Sequence, residues 1–462
     1  MEEEKTALIL TIGLATEPSI KRINSLEPDL VYFIHSKKSK ENALFIIEET
    51  GIENYSFKEL SDHESVDDAF VKSLECIHEL KEKGYEVIGD FTVGTKPMVA
   101  GLVMACIEEK CEYKYLGESS DDAREFGMGP VRSGFEMTKD QENPYENYAI
   151  NEFKSGKEFF DKYQFLAARE NFKKAESKLK YCELKKRSKV FIKIVDFYEH
   201  WDKFNDEIKV KNKQNQLVNI KLNKFLETEI LDAIENDEDL LKYFKEEIPN
   251  FYKQLKKNKL FLDKKISPTN DIYRNISYYL PDLLNNAERR IEEGKYDDAV
   301  ARLYRALELV GQLRLYKYKF IDKDGLNNSK AFYVKKEVVI KRSNSAELAE
   351  IQSKNLGKWR YKEKLLNLDL GSSYRLLNII SKSRTDDFSK STKDLVDSYY
   401  RVHGNFQKRN TSILAHGLRP LNEKDAKKVY DLMIKHSSLL SEHIENNREF
   451  ARFPLFSNDY DD

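Results

Sequence analysis

This chain of 462 residues predicts an α/β Rossmann-like N-terminal domain followed by an all-α C-terminal half. Short apolar runs alternate with amphipathic helical stretches over the first 140 or so residues, the pattern of a parallel, doubly wound sheet. From about residue 145 the apolar spacing keeps to a helical period and strand signals cease. A chain this long also exceeds one ordinary hydrophobic core, so two or three domains are expected.

Within the first domain, Thr6–Ile12 and Asp29–His35 read as buried parallel strands, and Glu86–Phe91 and Glu112–Leu116 repeat the pattern. Helices are expected between them, among them Ser65–Lys83 and Lys96–Glu109. In the helical middle, KYQFLAARENFKKA resembles one hairpin of a tetratricopeptide-like repeat, with no second copy at a fixed period. The Lys/Asn/Gln-rich stretch Lys203–Asn219 reads as an exposed loop. Asp282–Tyr316 reads as two helices broken at Gly294, and residues 325–367 as an insertion. Long helices are expected around Thr392–His416 and Glu423–Asn447, before a frayed acidic tail, FPLFSNDYDD. The expected domains are residues 1–142, 143–268 and 269–462.

With 40% hydrophobic residues, 34% charged residues and 26 each of Tyr and Phe, the chain can build cores and is not disordered. Seventy-eight basic residues against 80 acidic ones leave a net charge of −2, so no basic excess points to duplex DNA. A local basic cleft for a short single strand is still compatible. Cys76, Cys106, Cys111 and Cys182 show neither a CxxC pair nor zinc spacing, and reduced thiols are expected. The opening MEEEKTALILTIG is acidic and then strand-like, unlike a signal peptide, and no apolar run approaches membrane-spanning length. A cytoplasmic protein is the expectation.

Two loops follow strands where doubly wound sheets bind ligands. Residues 13–18, GLATEP, follow the first strand, and residues 90–98, DFTVGTKPM, join a strand to a helix. In the second, Gly94 allows close backbone approach, Thr92 and Thr95 offer hydroxyls, and Lys96 places a cation at a helix N-terminus that itself favours anions. This is chemistry for phosphate or a nucleotide. Neither GxxxxGK[ST] nor GxGxxG is present, which argues against a P-loop and against NAD or FAD. A plain strand–turn–helix with a glycine turn and a capping Thr fits the same residues.

In KRNTSILAHGLRP, Arg409 and His416 stand seven residues apart. On a helix that spacing lies within about 20° of two turns and roughly 10 Å along the axis. A His near neutral pKa moves protons and a guanidinium holds the charge of a phosphorane, which suits RNA cleavage without metal. A helix with a surface Arg and a core-facing His is the ordinary alternative.

RNTSILAHG resembles the Arg-Asn…His signature of HEPN ribonucleases, here with six intervening residues, and DLLNNAERRIEEGKYDDAVARLYRALE resembles the preceding helices of that domain. DFTVGTKPM resembles the ligand loop of CARF domains, with Val93 where that family often has Gly. The chain is thus similar to the CARF–HEPN ancillary ribonucleases of type III CRISPR antiviral defence. The resemblance implies a homodimer in which a cyclic oligoadenylate binds across the two-fold axis of the CARF domains. It implies that this activates a metal-independent site cutting single-stranded RNA to 2′,3′-cyclic phosphate and 5′-OH ends. Carried over, Arg409 and His416 are catalytic and Asn410 positions them. Thr11, Gly13, Thr16, Asp90, Thr92, Gly94, Thr95 and Lys96 are candidates for the activator pocket, with no metal and no other cofactor expected. Ring size is not legible in the sequence, the lean being to the tetra-adenylate, and neither is base preference or cleavage of the activator. A non-catalytic nucleotide-sensing regulator that docks a partner through its helical half is the alternative function.

Arg302, Arg305 and Glu308, at i, i+3 and i+6, fit either a polar wall of the RNA cleft or a surface ion-pair ladder. His403 fits either that site or a structural role. Asp121 and Asp122 read as solvated acids, Trp201 and Trp359 as packing residues.

Overall fold

The computed structural model describes residues 5–120, 123, 131, 135–211, 214–266, 272–321, 333–353, 359–360, 365–410, 420–441 and 443–459. The chain forms two compact units, one of residues 1–150 with 178–180 and one of the rest.

The first unit is the expected α/β domain. Its strands are β1 (Thr6–Thr11), β2 (Leu30–His35), β3 (Tyr55–Glu59), β4 (Glu86–Asp90), β5 (Glu112–Glu118) and β6 (Glu136–Asp140). They form one sheet in the order β3-β2-β1-β4-β5-β6. β1 to β5 run parallel and β6 closes the edge antiparallel to β5. Ala7, Leu8, Ile9 and Leu10 of β1 are all 0–1% exposed, as a strand covered on both faces requires. Helices α1 (Glu17–Leu26) and α2 (Lys40–Thr50) cover one face, α3 (Val66–Glu82) and α4 (Lys96–Glu108) the other. Two glycines let α4 sit close: a Cβ on Gly89 would stand 2.5 Å from Cys106 Sγ, and one on Gly101 would stand 2.6 Å from Ala69 Cβ. The strand order reverses between β1 and β4, so the loops after these two strands diverge and leave a crevice.

The second unit is helical and holds two hydrophobic cores. One is aromatic, built from Phe160, Phe172, Phe191, Tyr198, Trp201, Phe244 and Phe251 among others. Trp201, at 1% exposure, is the packing residue expected. The other core is aliphatic and spans Leu280 to Ile444. Its first two helices, Ile272–Glu292 and Tyr296–Lys317, break where expected, at Gly294, whose φ of 74° favours glycine. The helix Leu370–Ser383 presses Tyr374 onto Gly311, where a Cβ would stand 2.9 Å from the ring.

Three expectations are overturned. Lys203–Asn219 is not a bare loop: Glu207–Lys211 and Leu217–Lys221 pair as antiparallel strands. Ile208, Val210 and Ile220 stand at alternate positions and turn toward the aromatic core, a two-residue period hidden by the Lys and Asn content. The C-terminal tail is not frayed through Asp459. Phe456, 1% exposed, stacks on Phe251 at 4.3 Å. Asp161 accepts the backbone N–H groups of Phe456 and Ser457, both at 2.8 Å. Asp459 in turn accepts those of Asn250 and Phe251, at 2.7 and 3.0 Å, at the start of the helix Pro249–Ile266. The tail therefore completes the aromatic core. The helix expected over Glu423–Asn447 is two, Glu423–Ser438 and Ile444–Phe450.

A buried ion cluster ties the aromatic core to the helix Ile272–Glu292. Lys265 Nζ lies 2.9 Å from Asp282 and 3.0 Å from Asp206, and Trp201 Nε1 donates to Asp282 at 3.0 Å. Burial works against the ammonium charge, but the two carboxylates override it and hold the Lys265 pKa above its ordinary value.

Candidate functional site

A cleft of about 850 Å³ opens at the carboxyl ends of β1, β2 and β4. Thr16, Glu17 and Pro18 bring the N-terminal end of α1 to it, Ser39 that of α2, and Thr95 that of α4. Three helix N-termini thus face one space, and their free N–H groups and dipoles favour an anionic ligand. Lys38 on the wall is exposed and makes no ion pair among the described residues.

The two loops singled out in the sequence meet here backbone to backbone. A Cβ on Gly13 would lie 3.1 Å from the Gly94 nitrogen, and one on Gly94 would lie 2.9 Å from Thr11 Oγ1. Gly94 has φ of 129°, a conformation L side chains rarely adopt. Thr11, 1% exposed, donates its hydroxyl to the Val93 carbonyl. Asn42 Nδ2 donates to the Gly13 carbonyl at 2.7 Å. The two glycines thus serve loop–loop packing.

The remaining predicted residues separate into wall and support. Gly13, Thr16, Thr92, Gly94 and Thr95 line the cleft, and Thr11, Asp90 and Lys96 do not. Asp90 is 3% exposed and committed beneath it, with Arg22 Nε at 2.6 Å and the Thr92 N–H at 3.0 Å. Arg22, also 3% exposed, reaches Thr138 of β6 at 2.8 Å, so one buried pair joins α1, the β4 loop and β6. Thr92 Oγ1 accepts the Leu116 N–H at 2.8 Å. Thr95 caps α4 by accepting from Met98, at 3.4 Å, while donating to the His63 carbonyl at 2.7 Å. Lys96 is exposed and without a partner among the described residues. Sequence reasoning missed Ser36, Lys38, Ser39, His63, Tyr115 and Glu136 on the wall. The first three follow β2, and the strand-end rule applied to β1 and β4 would have found them.

At the helical end, Arg409 and Asn410 are the last two residues of the helix Asp387–Asn410, and His416 lies outside the described residues. Asp121 and Asp122 lie outside them too. Both flanks of the Arg409–His416 segment are fastened to the helix Tyr296–Lys317. Phe406 packs edge-on against Tyr304 at 5.7 Å, and Asp297 accepts the Leu421 N–H at 3.1 Å. Those two anchors are about 10 Å apart along the helix axis. Deeper in, Tyr374 Oη donates to the Leu307 carbonyl at 3.0 Å and so accepts from His436 Nε2 at 2.8 Å. His436 Nδ1 then accepts from Ser398 at 3.1 Å. This neutral imidazole is 0% exposed, and burial, with Arg314 nearby, holds its pKa down at about 3.

Arg302 donates to Asn286 and to the Asp298 carbonyl, and burial holds its pKa below the ordinary value. Arg305 pairs with Glu308 at 3.2 Å and Gln312 at 3.1 Å. In these contacts the three behave as a structural ladder. His403 is half-buried, its ring 5.0 Å from Tyr399, and burial lowers its pKa. Among the described residues, no group of three or more His, Cys, Asp or Glu is arranged to hold a metal ion, and no helix is long and apolar enough to cross a membrane.

Residues 269–439 match the family described as the Csm6 HEPN domain. Over those residues the chain is similar to a Csm6-type HEPN domain. The resemblance to CARF–HEPN proteins is borne out at this domain, whose match spans Arg409, Asn410 and His416. Among solved structures, Enterococcus italicus Csm6 bound to cyclic hexa-2′-fluoro-hexa-dAMP is similar at 14% identity and a TM-score of 0.49, over 97% of this chain and 98% of that one. A type III CRISPR defence DNA nuclease activated by cyclic oligoadenylate is similar at 13% identity and a TM-score of 0.23, over 48% of this chain and 38% of that one. A Vibrio cholerae protein is similar at 10% identity and a TM-score of 0.22, over 56% and 70%. No curated protein sequence matches the chain significantly.

Proposed function

We propose that the chain is a metal-independent endoribonuclease for single-stranded RNA, switched on by a cyclic oligoadenylate in type III CRISPR antiviral defence. The observation that carries this reading is the HEPN family match over residues 269–439, together with the Arg-Asn…His spacing it spans. In the proposed reaction the ribose 2′-oxygen forms a bond to the adjacent phosphorus as the bond from phosphorus to the 5′-oxygen breaks. A His416 imidazole accepts the 2′-hydroxyl proton, and the second copy's imidazole protonates the departing 5′-oxygen. Arg409 neutralises the phosphorane and Asn410 positions the pair. The products are a 2′,3′-cyclic phosphate and a 5′-hydroxyl.

Two features support the activator and the homodimer. The cleft's three helix N-termini and Lys38 suit phosphates, and its volume, about 850 Å³, is in the upper part of the range for small-molecule sites. Beyond Val103 and Ile107, which pack partly against the sensor core, α4 carries Val99, Ala100 and Met104 half-buried or exposed at i, i+1 and i+5. No charged residue falls between Lys96 and Glu108. An apolar helix face of this kind suits burial against a second copy. Pairing the sensors would then put two clefts around one symmetric ring and two Arg409–His416 sets around one phosphate. Residues 1–142, 143–268 and 269–462 act as sensor, helical middle and nuclease in this reading, with 451–456 returning to the middle core.

The test is cleavage of a quenched fluorescent single-stranded RNA in EDTA, by wild type and by His416→Ala, with no ligand or with cyclic tri-, tetra- or hexa-adenylate. One ring size should accelerate the wild type and leave the variant silent. Equal cutting by the variant, or no activation by any ring, would overturn the reading.

A further inference from the structure

Tyr115, on β5, lines the cleft and is half-buried. Its ring lies 5.5 Å from that of Phe91 with 25° between the planes, and Phe91 is backed by Tyr113 at 6.1 Å. One face of Tyr115 is therefore braced by an aromatic stack. Its hydroxyl makes no hydrogen bond among the described residues.

The next residue on that face of the strand is Gly117. A Cβ there would lie 3.0 Å from Tyr115 Cε1 and 3.2 Å from both Cδ and Cε of Lys139. The ring and the lysine chain both lean over the glycine, and any side chain at 117 would displace one of them. Lys139 is the direct cross-strand partner of Tyr115. It is half-buried, and its ammonium makes no ion pair or hydrogen bond among the described residues. Its neighbour Lys114, by contrast, is paired with Glu112 at 3.0 Å and Asp140 at 3.3 Å.

A braced aromatic ring beside an unpaired cation, both leaning over a glycine, matches a planar heterocycle carrying a phosphate. We propose that Tyr115 is the stacking platform for one base of the nucleotide ligand and that Lys139 receives the phosphate next to it. This rests on reading the cleft as a nucleotide site. Stacking is indifferent to base identity because every base has a π-face, so Tyr115 sets affinity and base position, and base choice falls to hydrogen-bonding groups elsewhere on the wall. Gly117 is the spacer that keeps the ring and the cation together.

The experiment is calorimetric titration of the full-length chain with cyclic tri-, tetra- and hexa-adenylate, for wild type, Tyr115→Phe, Tyr115→Leu and Lys139→Ala. Melting temperature and sedimentation are measured on each. Tyr115→Phe should bind like the wild type, and Tyr115→Leu should bind roughly 10- to 100-fold more weakly, the range for removing one base–aromatic stack. Lys139→Ala should weaken binding and flatten its salt dependence. If the wild type binds a ring and Tyr115→Leu, still folded, binds it equally well, the platform is refuted and the nucleotide site stands. If Tyr115→Leu loses affinity only by falling from dimer to monomer, the ring acts through an interface and the proposal is also overturned. If Tyr115→Leu melts early, Tyr115→Phe decides: its loss of affinity while folded counts against stacking. If the wild type binds no ring of any size, the reading of the cleft fails and the platform with it.

Discussion

Acid should loosen the helical unit through one residue. His436 is fully buried between Tyr374 and Ser398, with its pKa lowered from 6.5 to about 3. In the unfolded chain the imidazole takes up a proton as pH falls through 6.5, while the folded chain refuses it until near 3. The unfolded state therefore binds more protons in that window. The stability this neutral imidazole contributes is complete above the unfolded pKa and is lost as pH falls. At pH 5.5 the loss is RT ln 11, about 1.4 kcal/mol, set almost wholly by the unfolded value. Urea unfolding followed by the fluorescence of buried Trp201, at pH 7.5 and 5.5, measures it. His436→Gln cannot titrate, so its stability should fall by about 1.4 kcal/mol less than that of the wild type over the same interval. Equal falls in the two proteins would refute the buried, neutral assignment. All other histidines are common to both and cancel in the comparison.

Other substitutions test other parts of the structure. Gly94→Ala should destabilise the sensor by about 2–3 kcal/mol, from backbone strain at φ of 129° and contact with Thr11. Gly13→Ala, whose Cβ meets its neighbours at 3.1–3.3 Å, should cost less, and thermal unfolding of the two variants checks the order. Phe456→Ala should cost about 3–5 kcal/mol by emptying the stack on Phe251; an unchanged urea midpoint would return the tail to the frayed state expected from its composition. Asp282→Asn should cost about 3–5 kcal/mol by weakening the partnership of buried Lys265, read in the same assay. Lys38→Ala should weaken binding of the cyclic ligand most at low salt, measured by titration at two ionic strengths.

Much of the fold was legible because local patterns carry it. TALILT and LVYFIH have no polar face to offer water, so they had to be central strands. Gly294 broke the helical run where its φ is positive. The edge strands β3 and β6 escaped because YSFKE and EMTKD carry too few apolar residues to stand out. The hairpin at residues 207–221 escaped for the same reason. In the candidate site, the loops after β1 and β4 were visible through their glycines and threonines, but their division of labour was not. Asp90 and Lys96 look alike in sequence as polar residues of one ligand loop. One is buried against Arg22 and the other points to solvent.

The sequence by itself determined the element types, the break at Gly294, the two loops at the strand ends and the Arg409–His416 spacing, because each depends on residues a few positions apart. Only the tertiary structure decided that Lys38, His63 and Tyr115 share a cleft with Thr92, and that Phe456 belongs to a core some 200 residues before it. The first comes from parallel crossovers that bring distant strand ends to one edge of the sheet. The second comes from an aromatic cluster that stays incomplete until the chain's last turn returns to it. Neither leaves a short-range trace in the order of the amino acids.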